Sequence, residues 1–317
     1  MHEVFITDMI PVDDKTCLVG AQLPMSHAYF LESSDTPRYR SALLAECCRQ
    51  ACTYVAHVRY DVPADWVFLV TELSLELPAA ARLRVGEVPS DLVIIANTDA
   101  ETSGGRLRAL RCSFEICLDG ESVGRMGGVG RYVTAEEYQM LRSAGRAGAK
   151  PTSSGLERTG VPVDPRLVGR TDPRNVVLAD ARVTDTGADA RLSVSGRHPT
   201  IFDHPLDHFP GMALVEAAAQ AASLALELSG TPGADAVPVG VRATFARFAE
   251  IDAPVEVSAR LAAVVPGADG IVHTVAVTLH QSGAQIAVLE VEALIPDPGH
   301  TEHTEHTEHT ELAEAAR

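Results

Sequence analysis

The feature that most limits what this chain can become is that it repeats itself. Leu44-x-Glu46-x-x-x-Gln50-Ala51 recurs 170 residues later as Leu214-x-Glu216-x-x-x-Gln220-Ala221 in a chain of 317 residues. A duplication of this length points to two copies of one fold. Between the copies, the stretch from Ser143 to Pro165 is rich in Gly, Pro and Ser and lacks apolar periodicity, as a linker would. The expected organisation is one unit over residues 1–145, a linker over 146–160, a second unit over 161–297 and a tail over 298–317.

Each copy carries a strongly apolar helical segment, Ser41 to Arg59 and Gly211 to Leu228. Their polar positions are few and regularly spaced: Glu46, Arg49, Gln50, Thr53 and His57 in one, Glu216, Gln220, Ser223 and Glu227 in the other. Spacings of three and four residues put each set on one narrow stripe of a 3.6-residue helix. Such helices are expected to be wrapped by other structure, with the polar stripe facing a groove. Strand-like runs supply the wrapping: Val67–Leu77, Ala81–Val85, Leu92–Ala96, Leu107–Leu118 and Glu121–Val133, then Val237–Phe248, Val255–Val264, Ile271–His280 and Gln285–Ile295. The fold class expected is α+β, a tandem (double) hotdog in which each half curls an antiparallel sheet around one long apolar helix.

Charge and cysteine content exclude several functions. The formal charge of −17 repels a phosphate backbone, so no nucleic-acid partner is expected. No apolar run reaches the ~18 residues of a membrane span, so no membrane is expected either. Met1 to Pro11 has no basic stretch followed by an apolar one, which makes the cytoplasm the default location. The six cysteines lie in the first half without a C-x-x-C pair and are expected to be reduced and buried. The tail repeats His-Thr-Glu four times, contributes −4 of the charge and is expected to be disordered and solvated rather than metal-binding.

The chemistry-bearing residues cluster before and on the two helices. Phe202-Asp203-His204-Pro205-Leu206-Asp207-His208-Phe209-Pro210-Gly211 runs into the second helix. Unpaired N–H groups at that helix start could polarise a carbonyl near Gly211. Glu216 could then act as a general base. His204 and His208 are separated by Pro205 and do not share a helix face, so no metal is expected. Both could touch substrate or hydrogen-bond backbone. In the first half, His27 precedes the helix, and Glu46 and Arg49 are spaced to pair. That pair could be structural, or an acid/base beside a cation for an anionic substrate. Glu46, Glu216 and Gly211 are thus the catalytic candidates, and Arg49, Gln50, His27, His204, His208 and Gln220 the substrate-binding ones. No cofactor is expected.

The run HPTIFDHPLDHFPGMALVEAAAQAA, together with EVFITDM, AQLPMSHAYF, LLAECCRQACTYVAHVRYDVP, Val168-Gly169-Arg170 and Asn175-Val176-Val177-Leu178, resembles the AfsA-like A-factor (γ-butyrolactone) biosynthesis hotdog family over nearly the whole chain except the tail. The resemblance implies an acyltransferase that moves a β-ketoacyl group from an acyl carrier protein or CoA thioester to a hydroxyl of dihydroxyacetone phosphate or a related acceptor. Cyclisation to a butenolide would follow. It also implies an internal pseudo-dimer, with a homo-oligomer possible. The family's second helix reads Glu-x-x-Arg-Gln, whereas Ala219 stands at the Arg position here. A changed acceptor and a single surviving site both fit that departure. Other readings are a hotdog dehydratase or thioesterase acting on acyl thioesters, or a non-catalytic acyl- or lactone-binding regulatory protein.

Overall fold

The computed structural model describes residues 3–32, 38–143 and 150–297. The first half comprises β1 (Ile6–Pro11), β2 (Thr16–Leu23), α1 (Ser41–Tyr60), β3 (Val67–Glu76), β4 (Ser90–Ser103), β5 (Arg106–Leu118), β6 (Glu121–Val133) and α2 (Ala135–Ser143). The second comprises β7 (Leu178–Thr184), β8 (Gly187–Leu192), β9 (His208–Phe209), α3 (Gly211–Leu228), β10 (Val237–Phe245), β11 (Ala249–Glu250), β12 (Val255–Gly267), β13 (Gly270–Gln281) and β14 (Ala284–Pro296).

Twelve strands form one antiparallel sheet in the order β1-β2-β4-β5-β6-β3-β10-β14-β13-β12-β8-β7. The order is palindromic: read inward from either edge, each half lays down the same strands in the same sequence. The halves join where β3 pairs with β10, from Glu72↔Thr244 to Glu76↔Gly240. This is a tandem hotdog fold. The sheet covers the helices because its strands alternate. Leu92, Ile94 and Ala96 on β4 and Cys112, Phe114 and Ile116 on β5 point inward to α1 residues Leu44, Cys47, Cys48, Ala51 and Val55. Val257 and Ala259 on β12 and Val291 on β14 do the same for α3, where thirteen residues are buried.

Helix ends follow local chemistry. His57 and Arg59 favour the carboxyl end of α1, and Asp61 closes it at φ 50°. Pro210 precedes α3 in extended geometry, and Gly230 at φ 85° follows its end. The strand expected over Ala81–Val85 is instead a 3₁₀ turn at Ala80–Arg82. Leu77, Ala80 and Leu83 are all buried, a spacing of three that suits that turn and not a strand. Helix α2 was not expected. All six cysteines are free thiols, four of them buried. The His-Thr-Glu repeat lies outside the described residues.

Candidate active site

Both helical stripes are built on one device. On α1, Gln50 donates from Nε2 to the Glu3 carbonyl (2.7 Å) and to Glu46 Oε1 (2.8 Å), and accepts from the Phe5 amide (3.0 Å). On α3, Gln220 donates to the Asn175 carbonyl (2.8 Å) and to Glu216 Oε1 (2.6 Å), and accepts from the Val177 amide (2.9 Å). Each glutamine thus clamps the chain entering its half against the helix glutamate. A histidine completes each copy. His27 Nδ1 accepts from the Tyr29 and Phe30 amides (both 3.2 Å), and its Nε2 lies 3.5 Å from Glu3 Oε1. His198 Nδ1 accepts from the Ile201 amide (3.2 Å), and its Nε2 meets Asn175 Oδ1 at 3.1 Å. With Nδ1 accepting, each neutral ring carries its proton on Nε2. Structurally, then, His198 is the counterpart of His27, and Glu3 occupies the place of Asn175.

The stripes differ in what meets the glutamate. Glu46 is gripped by its own helix, with Arg49 Nε 2.7 Å from Oε2 and Nη2 2.6 Å from Oε1. The Arg49 side chain is 47% exposed and that of Glu46 15%. Thr200 crosses from the second half and donates to Glu3 Oε1 at 3.1 Å.

Glu216 is gripped from afar. Arg170, just ahead of β7, places Nη2 at 2.7 Å and Nε at 3.1 Å from Oε1. The cation absent at position 219 is therefore replaced by one 46 residues upstream of Glu216. The first half then covers the pair: Arg170 Nη1 donates to the Tyr29 carbonyl (2.7 Å) and Glu32 Oε2 (3.0 Å), and its guanidinium stacks 4.5 Å above the Tyr29 ring. Asn175 Nδ2 reaches the Ala28 carbonyl and Glu32, and Arg40 reaches the Gly169 carbonyl. The Arg170 side chain is fully buried and that of Glu216 is 8% exposed.

Burial governs ionisation there. It pushes His198 down to about 4, with Arg170 adding to the effect, and raises the Tyr29 hydroxyl well above its usual range, with the Glu216 charge adding to that. It also lowers Arg40 to about 10, again with Arg170 contributing. At Glu32 burial acts upward, but the Asp172 amide and Arg170 outweigh it and hold the carboxyl low.

The two stripes differ in exposure: on α1 the Arg49 side chain is half exposed, whereas the α3 stripe does not face an open groove. On α3, Glu216, Gln220 and Ser223 are all buried, and residues 28–32 cover the Arg170 that pairs with Glu216. His208 sits apart in a third cluster, with Nδ1 2.8 Å from Asp207 Oδ1 and 3.3 Å from the Tyr138 hydroxyl. Arg142 of α2 ties that cluster together by ion pairs to Asp207 (2.9 Å) and Glu250 (2.5 Å) and packs over Phe248. His204 is exposed and pairs with Asp203 (2.6 Å). A Cβ on Gly211 would come 2.9 Å from Val70 Cγ1, so tight packing of the α3 start against β3 accounts for the glycine. A surface hollow of about 760 Å³ beside β7, lined by Val163, Leu167, Arg182 and Arg191 among others, touches none of the stripe residues.

Glu3, Asn175, His198 and Arg170, which join the two stripes in the structure, are not among the residues that helical spacing singles out. The signal was present in Ser26-His27 and Arg197-His198, an offset of 171 that aligns the histidines and, three residues on, the amides that hold them.

The sequence model of the A-factor biosynthesis hotdog domain matches residues 1–134 and 152–295. The chain belongs to the AfsA family. Relatives in Streptomyces virginiae (31% identical over 285 residues, 90% of each chain) and Streptomyces coelicolor (32% over 286 residues, 90% of this chain and 86% of that one) are both named 2-oxo-3-(phosphooxy)propyl 3-oxoalkanoate synthase. As an AfsA-family member the chain is an acyl-transferring synthase. Among solved structures, it is similar to a protein described as an oleoyl thioesterase from Lactobacillus plantarum (TM-score 0.54, 12% identity, 88% of this chain and 97% of that one). A hotdog protein of unknown function from Alicyclobacillus acidocaldarius gives a TM-score of 0.50 at 12% identity, over 94% of this chain and 99% of that one. At such identity these likenesses show the fold alone.

Proposed function

We propose that this protein transfers a 3-oxoacyl group from an acyl carrier protein or CoA thioester to a hydroxyl of dihydroxyacetone phosphate, and that it does so over the α1 stripe. The names of the Streptomyces relatives describe that ester. In the step itself, the acceptor oxygen bonds to the thioester carbonyl carbon, the hydroxyl gives up its proton and the C–S bond breaks to release the thiol.

One observation carries the placement. Arg49 is a half-exposed cation held in a bidentate grip by Glu46, in a chain whose net charge of −17 would otherwise repel a phosphate. A guanidinium fixed in this way is preorganised for phosphate oxygens. Glu46 acts as the residue that aims Arg49. The buried Glu216 network supports a structural role for the second stripe, because Arg170 is already saturated by Glu216, Glu32 and the Tyr29 carbonyl. The units at 1–145 and 161–297 supply both helices and both crossing loops, so the reading needs no second chain, metal, nucleic acid or membrane. A cytoplasmic location fits carrier-bound substrates.

The test is incubation of the purified protein with a 3-oxoacyl carrier protein, with and without dihydroxyacetone phosphate, followed by mass spectrometry. The expected result is a phosphorylated 3-oxoacyl ester formed only with the acceptor. Thiol release at the same rate with no ester would overturn the proposal in favour of a thioesterase.

A further inference from the structure

The two copies differ at one place where the difference bears on proton transfer. Glu3 and Asn175 occupy matching positions: each gives its carbonyl to the helix glutamine, and each side chain lies beside the Nε2 of a loop histidine, at 3.5 Å for Glu3 and 3.1 Å for Asn175. An amide cannot take up a proton, whereas a carboxylate can. The carboxylate on the α1 stripe itself, Glu46, is committed to three donors, two of them from Arg49. Protonating Glu46 would release its hold on the cation proposed to bind phosphate.

We propose that Glu3 is the general base of the transfer reaction, oriented by His27 and by Thr200 from the opposite half. This rests on the acyl-transfer reading above and names the proton acceptor within that site. Glu3 is partly open to solvent, 22% exposed, while His27 beneath it is 7% exposed. His27 is a positioning residue: two backbone amides fix its ring through Nδ1 and hold Nε2 3.5 Å from Glu3 Oε1. Thr200 fixes the same carboxylate oxygen from the second half. In the step, the acceptor O–H proton passes to the Glu3 carboxylate as oxygen attacks the thioester carbon, and the carboxylic acid returns it to the departing sulfur. The products are the ester and the free thiol, and Glu3 ends ionised. In the second half Asn175 stands at the corresponding place, so that copy has no equivalent base.

Glu3→Gln keeps an acceptor oxygen for His27 and Thr200 and so tests charge and basicity alone. General-base catalysis contributes about 10²- to 10⁴-fold. Glu3→Gln is therefore expected to lower kcat by at least about 100-fold with KM for the phosphorylated acceptor little changed. Glu3→Asp should recover part of the loss, and Thr200→Val should lower kcat by less than Glu3→Gln does. Thermal unfolding that coincides with wild type shows that the fold is intact. The readout is thiol release with whichever acceptor the wild type uses. Absence of the phosphate ester in wild type therefore counts against the acyl-transfer reading and leaves this test standing. Wild-type kcat in Glu3→Gln, or a loss confined to KM, would overturn the role of Glu3.

Discussion

The two halves run the same circuit to opposite ends. In each, a glutamine clamps the segment ahead of the first strand to a helix glutamate, and a histidine lies beside a side chain of that segment. In the first half the glutamate's cation is its own neighbour, Arg49, and half of that side chain reaches solvent. In the second the cation comes from Arg170, and a loop of the first half seals it beneath Tyr29 and Glu32. On the function proposed above, one copy of the polar stripe is kept for chemistry, while the other binds a loop of the first half to the second. What separates them is not the number of charges but whether those charges satisfy one another away from water.

If that contrast holds, substitutions in the two networks should give different phenotypes. The largest effect on stability should come from Arg170→Met, which leaves Glu216 and Glu32 buried without their cation. Breaking a buried ion pair from one side costs about 3–5 kcal/mol, and denaturant unfolding should show a loss of that size. Arg49→Met, measured alongside, removes a half-exposed pair worth about 1 kcal/mol or less. Equal losses in the two variants would erase the distinction between the halves.

A smaller effect should appear with pH. His198 is held down to about 4 when folded, against an ordinary value of 6.5. The unfolded chain therefore binds a proton before the folded one does. The stability is fully present above about 6.5 and is lost as pH falls toward 4, at up to about 1.4 kcal/mol per unit. His198→Gln should flatten that part of the curve of unfolding free energy against pH. An unchanged slope would mean that the buried network is not closed to protons.

The smallest effect is expected from Ala219→Arg. It restores the family's helix pattern, yet Glu216 Oε1 already accepts from Arg170 and Gln220 in a buried setting. Turnover should not rise, and stability should change by about 1 kcal/mol. A gain in ester formation would show that the second stripe can be opened to substrate.

Much of this architecture is legible in the residues. The helix at Gly211–Leu228 follows directly from its periodicity, and α1 runs one residue past the end that periodicity indicates. Strand alternation places the core of both halves. Periodicity also finds both polar stripes, but it describes one helix in isolation. Whether a stripe stays open depends on what another segment lays over it, and residues 28–32 come from the opposite half of the chain. Arg170 shares no periodic pattern with Glu216, and Glu3 lies 43 residues from Glu46. Only packing brings such residues together. His204 and His208 lie just ahead of the helix start, whereas the histidine that matches His27 lies further upstream at position 198.

The assignment of chemistry to the first stripe is tested most directly by ester formation in Arg49→Gln, with dihydroxyacetone phosphate and with unphosphorylated dihydroxyacetone as acceptors. A charged hydrogen bond to phosphate contributes about 1.5–3 kcal/mol, or about 10- to 100-fold in kcat/KM. The loss is expected with the phosphorylated acceptor and not with the neutral one. A variant that uses dihydroxyacetone phosphate as well as wild type does would contradict placing the reaction on α1.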